Sequence, residues 1–206
     1  MEPLKLRLSQ FVSYAFHPLL IPTATIVALL MMPDIYFFTI PGVLKLWYAV
    51  IVFVFTVLMP AVGVLFLKKL NAIQSFDMVE RSERTVPMIV AGTGYVTMLY
   101  LLRVISIPPV FLFILYSATF SLIAGLVLNL FYKVSLHTLG WSALTSMLIC
   151  ISLRIGMPLM PFVIVSILIN GLVGYARLKQ NAHNEAQVYW GYVVGVGVIV
   201  VFSLLV

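Results

Sequence analysis

Arg177 and His183 stand with five residues between them, and Gln187 follows four further on, in a polar island between two long apolar runs. The island gathers two cations, a histidine, an acid and several side-chain amides where an apolar chain has no packing reason to put them. Two other islands carry related residue types. Residues 71–85 hold Arg81 and Arg84, three apart, so a helical turn would set both guanidiniums on one face. Residues 133–137 hold Ser135 and His137 around one leucine, at the start of an apolar run. Forked cations suit an anion with several oxygens, such as phosphate. Ser135 is expected to cap the following helix, whose first free amides also bind anions. His137, with a reference pKa of about 6.5, is suited to give a proton to a leaving group.

Each island alone also has a plainer reading: a solvated loop with local Glu–Arg pairs, a capped helix with an interfacial histidine, a lone satisfied histidine. Asn170 lies two helical turns before Arg177 and is expected on the same face, lining a polar cavity; Asn129, four before Lys133, is expected to do likewise. His17, between Phe16 and Pro18, could extend the cluster or simply pack, and no catalytic role is assigned to it.

The elements that must position these residues are membrane helices. The chain is 63% hydrophobic and 9% charged, against about 25% charged in soluble domains. Its apolar runs do not alternate as barrel strands do, and helices satisfy their own backbone in lipid. The fold class is therefore all-α, a polytopic bundle of six to seven spanning helices, read as a single integral membrane domain over residues 1–206. The expected segments are 11–32, 46–67, 86–102, 110–132, 139–153, 162–176 and 188–206, each near the roughly 20 residues a span requires. Residues 35–44 are too short to span and are placed at the interface; Pro60 is expected to kink the second segment. Gly191 and Gly195, four apart, permit close helix contact.

Parity puts the three islands and the N-terminus on one membrane face. That face holds nine cations and the other three. The net charge of +6 reads as topology-setting loop charge, with no nucleic-acid partner implied. The bias places the islands in the cytoplasm. Lys5 and Arg7 precede the first apolar run, but no small-residue cleavage site follows, so that run is read as a retained helix. Cys150 is a lone thiol inside an apolar run, which provides neither an internal disulfide nor a metal cluster.

The order of an arginine loop, then Ser-x-His, then Arg-x5-His resembles the type-2 phosphatidic acid phosphatase superfamily, over about residues 77–197. Arg84 looks like the arginine of that family's first motif, Ser135 and His137 like the pair of its second, Arg177 and His183 like the pair of its third. Trp190-Gly191 and Gly195 look like its glycine-containing final helix. The resemblance implies a bacterial inner-membrane hydrolase, with a membrane lipid or polyprenyl phosphate as substrate and neither cofactor nor metal. His183 would be the nucleophile of a phosphohistidine intermediate. His137 would protonate the leaving alkoxide, and Arg84, Arg177 and Arg81, with Ser135, would hold the phosphate. It also implies a site facing away from the cytoplasm, against the charge bias. The chain departs from the family at Asp77, where the family has lysine; at Pro87, three residues after Arg84; at Val134 and Leu136; and at Gln187, where the family has aspartate. Gln187 is expected to orient His183 without supplying charge. A phosphatase-like protein that binds phospholipid headgroups, or serves as a subunit of a membrane complex, is the rival reading. A small transporter, suggested by prolines within segments, fits less well because the polar residues collect in loops.

Overall fold

The computed structural model describes residues 2–32, 39–76, 78 and 80–205, with side chains from Leu4 onward. Among these residues the regular elements are helices. They are α1 (Glu2–Ala15), a 3-10 turn (Pro18–Leu20), α2 (Ile21–Leu30), α3 (Gly42–Phe53), a π-helical turn (Val54–Leu58), α4 (Met59–Lys69), α5 (Arg81–Val104), α6 (Pro109–Asn129), α7 (Leu136–Ile155), α8 (Met160–Lys179) and α9 (Glu185–Leu205). Seven stretches are long and apolar enough to cross a membrane: Leu4–Leu30, Gly42–Lys69, Arg81–Val104, Pro109–Asn129, Leu136–Ile155, Met160–Lys179 and Glu185–Leu205. Their outward surfaces carry leucines such as Leu153, Leu168 and Leu204, as lipid contact requires. The chain is an integral membrane protein.

Several expected boundaries move. The first segment is divided into α1 and α2, because Pro18 disfavours helical backbone at His17. The island at 71–85 is shorter than read: α5 already begins at Arg81, Glu80 is extended, and Pro87 lies within the helix. Residues 35–38 of the proposed interfacial stretch lie outside the described residues, as does Asp77, and α3 begins at Gly42. Pro60 has no N–H to give to Thr56, and the chain answers by widening the preceding turn to π.

The chain divides into two compact units, Met1–Pro18 with Phe120–Val206, and Leu19–Thr119. In the latter, the hydroxyls of Thr23 and Thr56 meet at 3.1 Å, with Thr56 fully buried at the π turn. Gly94 of α5 lets that turn approach: a Cβ there would stand 2.7 Å from Phe55 O.

In the unit of Met1–Pro18 with Phe120–Val206, α7 packs against α9 through small residues. A Cβ on Gly191 would overlap Thr138 Oγ1 and lie 2.8 Å from Ser135 O; one on Gly195 would overlap Ser142 Oγ. The closeness lets Thr138 Oγ1 donate to Val188 O at 3.1 Å and Ser142 Oγ to Gly191 O at 3.4 Å. On its other side α7 meets α8, where Thr145 Oγ1 donates to Ser166 Oγ at 3.0 Å. Helix α1 buries serines rather than leucines: the amide of Gln180 donates to Ser9 O at 2.8 Å and Ser13 Oγ at 2.7 Å.

Gly195→Ala is expected to destabilise the protein by about 1–3 kcal/mol, the usual range for an overpacked contact. Gly197→Ala, whose Cβ meets open space, should leave stability unchanged or slightly raised. Unfolding both variants in detergent checks this; equal effects would mean that the α7–α9 contact is not tight.

Candidate functional site

Two chain segments meet at one end of the α7–α9 pair. The Ser135 N–H donates to Gln187 O at 3.1 Å, which joins the start of α7 to the first turn of α9. Ser135 occupies the N-cap position of α7, but its hydroxyl makes no cap bond, contrary to expectation. Its carbonyl instead accepts from Leu139 N at 3.0 Å and shares the Thr138 hydroxyl proton with Val188 O, while its Oγ is fully buried with no hydrogen-bond partner. The hydroxyl is thus an unsatisfied polar group buried at a helix N-terminus.

His183 lies in the short link between α8 and α9 and is buried. Its Nδ1 is 3.0 Å from Gln187 Oε1. The same Oε1 accepts from the Asn184 N–H at 3.3 Å, and Asn184 Oδ1 accepts from the Gln187 N–H at 2.9 Å. This reciprocal pair is a capping box, satisfying two amides at the start of α9. It also settles the chemistry of the ring. An atom that accepts from a backbone N–H is the amide oxygen, so His183 Nδ1 must be the donor. In the neutral ring Nε2 then carries the lone pair.

His137 has the opposite arrangement. Its Nε2 is 3.1 Å from Ser13 O, which can only accept, so Nε2 holds the proton and Nδ1 is the nitrogen able to exchange one. Its ring meets that of His17 edge to face, with centroids 5.1 Å apart and planes at 80°. Arg177, half-buried on the last turn of α8, interacts electrostatically with both His17 and His137, and His183 does so with His137. The unit therefore brings together Ser135, His137, Arg177, His183 and Gln187, and adds His17. Asn170, expected to line a polar cavity, has a buried Oδ1 without a hydrogen-bond partner, and its carbonyl accepts from Tyr192 OH at 3.1 Å. Asn129 is buried, but α6 ends at it, so the helical spacing to Lys133 does not apply.

Arg81 and Arg84 belong to the unit Leu19–Thr119, in the first turn of α5. They do not share an environment as expected. Arg84 is buried and its Nε donates to Met78 O at 2.9 Å, whereas Arg81 is exposed. Three residues of helix leave them about 60° apart, enough here to turn one inward and the other to the surface.

Sequence reasoning missed the capping box and the reach of α1. The Asn184-x-x-Gln187 spacing before an apolar run signals the first. For the second, Ser9, Ser13 and His17 recur every four residues, a polar stripe on an otherwise apolar segment. Comparison with family models, with curated proteins and with solved structures finds no match for this chain. Function must be argued from the residues.

Nitrogen NMR of the three imidazoles in their neutral forms is expected to show His183 protonated at Nδ1 and His137 at Nε2. Gln187→Ala should release the His183 tautomer and cost about 1 kcal/mol of stability through the lost cap. A His183 protonated at Nε2 in the unaltered protein would contradict the geometry.

Proposed function

We propose that this chain is a membrane phosphatase. Its substrate is a lipid-borne phosphate or diphosphate, on a glycerolipid or polyprenyl carrier, in a bacterial inner membrane; its fold is of the type-2 phosphatidic acid phosphatase kind. The observation that carries the reading is the His183–Gln187 contact, which holds Nδ1–H and leaves the lone pair on Nε2. That is the tautomer a phosphorus-attacking histidine needs. In this reading Nε2 attacks phosphorus as the bond to the lipid oxygen breaks. His137, once it has taken up a second proton at Nδ1, gives that proton to the same oxygen. Water then cleaves the P–N bond, returning a proton to His137 and releasing phosphate. Arg177 and the Ser135 hydroxyl offset charge on the phosphoryl oxygens.

A lipid substrate is favoured by the aromatic residues around the site. Tyr14, Tyr132, Tyr175, Tyr189 and Trp190 are all exposed, and each lies within a few residues of His17, Ser135, Arg177 or Gln187 in sequence. Exposed Tyr and Trp gather at headgroup depth, the level at which a lipid phosphate presents itself. One observation favours a second reading, a headgroup-binding protein without turnover: Gln187 supplies no negative charge to His183.

Phosphate release from a panel of lipid phosphates and diphosphates decides between them. The unaltered protein is expected to release phosphate, His183→Ala to abolish release, and His137→Ala to slow it by about 10²–10⁴. Gln187→Glu keeps the capping box and adds a carboxylate, and should be faster than the unaltered protein. Release that survives His183→Ala sinks the phosphohistidine route; no release from any substrate, with lipid binding intact, leaves the binding protein.

A further inference from the structure

The first helix delivers a third imidazole to this cluster. His17 follows the end of α1, at a break set by Pro18. The segment before it is fixed by bonds that do not involve its ring. Ser13 O is bonded to His137 Nε2 at 3.1 Å, Phe16 O accepts from Trp141 Nε1 at 2.9 Å, and Gln180 holds Ser9 and Ser13. The Phe16 and Trp141 rings also meet edge to face at 5.7 Å. The backbone is thus braced whatever residue stands at 17, and the imidazole is presented by a rigid support.

Packing alone would be served better by a hydrocarbon ring, since polar nitrogens inside an apolar bundle are expensive and collect where a use exists. The neighbours define that use. Arg177 and His137 both interact with His17, and a guanidinium brings positive charge and donors to the cluster. On the membrane face that parity gives His137 and His183, the unit of Met1–Pro18 with Phe120–Val206 has Lys5, Arg7, Lys133, Arg177 and Lys179 against Glu2 and Glu185, and Glu185 is exposed. Donors and positive charge converge, so the fitting ligand is an anion rich in acceptors. The rings do not converge as metal ligands do: among the described residues no group of three His, Cys, Asp or Glu side chains could hold a metal ion.

We propose that His17 is a phosphate-binding residue, whose ring N–H donates to an oxygen of the same phosphoryl group that Arg177 holds. This rests on the anion site of the phosphatase reading, but not on turnover.

The test is calorimetric binding of inorganic phosphate and, separately, of a short-chain phosphatidic acid to the full chain in detergent, with phosphate release assayed in parallel. His17→Ala and His17→Phe are expected to weaken binding about tenfold, the effect of losing one hydrogen bond to a charged acceptor. His17→Gln keeps a donor and should recover most of the loss; it also serves where the alanine variant does not fold. Dependence on His17 seen only with the lipid ligand, or with both ligands, supports the assignment and tells whether the phosphoryl group alone suffices. His17→Phe binding as tightly as the unaltered protein overturns it, because the ring then only fills space. So does an unaltered protein that binds neither ligand. Binding that depends on His17 without any turnover supports the assignment and ends the phosphatase reading. Turnover with an unchanged KM in His17→Ala overturns the assignment and leaves the phosphatase.

Discussion

Helices α7 and α9 approach so closely at Gly191 and Gly195 that no Cβ fits between them, and the positions of Ser135, His137, His183 and Gln187 follow from that contact. Lipid gives helices no hydrophobic reason to associate, so small residues and interhelical hydrogen bonds must do it. Thr138 and Ser142 supply both: each is small enough for the approach and donates a hydroxyl across it. With the pair locked at this register, the start of α7 meets the start of α9, and Ser135 N–H reaches Gln187 O. The polar end of the unit is a consequence of the packing beneath it.

The same logic explains why α1 buries Ser9 and Ser13 while exposing Leu4, Leu8 and Phe11. In water that distribution would be inverted. In a bilayer the apolar face is the solvent-facing one, and the serine face is the one that needs protein partners. Gln180 provides them, just beyond the last turn of α8 and three residues after Arg177. One amide therefore fixes α1 beside the element that carries the guanidinium. His17 reaches the cluster because its helix is held by polar groups.

How much of this was legible depended on sequence range. Apolar length alone gave the seven spans, and the Arg177-x5-His183 spacing marked the richest polar stretch. The Gln187–His183 contact could be anticipated because both residues lie in one short segment. The contact of His137 with Ser13 joins residues 124 apart, and no local pattern encodes it. The early start of α5 was hidden because charged residues fit a helix's first turn as well as a loop. Ser135 misled for a related reason: its N-cap position was correct, but position does not dictate where a hydroxyl points. The three-residue spacing of Arg81 and Arg84 implies a shared face, whereas burial directs Arg84 Nε to Met78 O.

Gln187 carries two tasks that a carboxylate would divide differently. Its Oε1 accepts from a backbone amide and from an imidazole, so it completes the α9 cap and fixes the His183 tautomer with one atom. A neutral acceptor suffices for both tasks. It does not suffice as a counter-charge: an imidazole ring that has bonded to phosphorus while retaining its Nδ1 proton is cationic. In serine proteases, replacing the comparable aspartate by asparagine costs about 10⁴ in rate, although that loss reflects the wrong tautomer. Here the tautomer is already the useful one, because the Asn184 N–H obliges the amide to present oxygen. In the proposed reaction the deficit that remains would be electrostatic alone, and the phosphoryl group on the same ring would bring its own negative charge. Chemistry at His183 would therefore depend less on a carboxylate behind the ring than on how firmly Arg177 holds the phosphate.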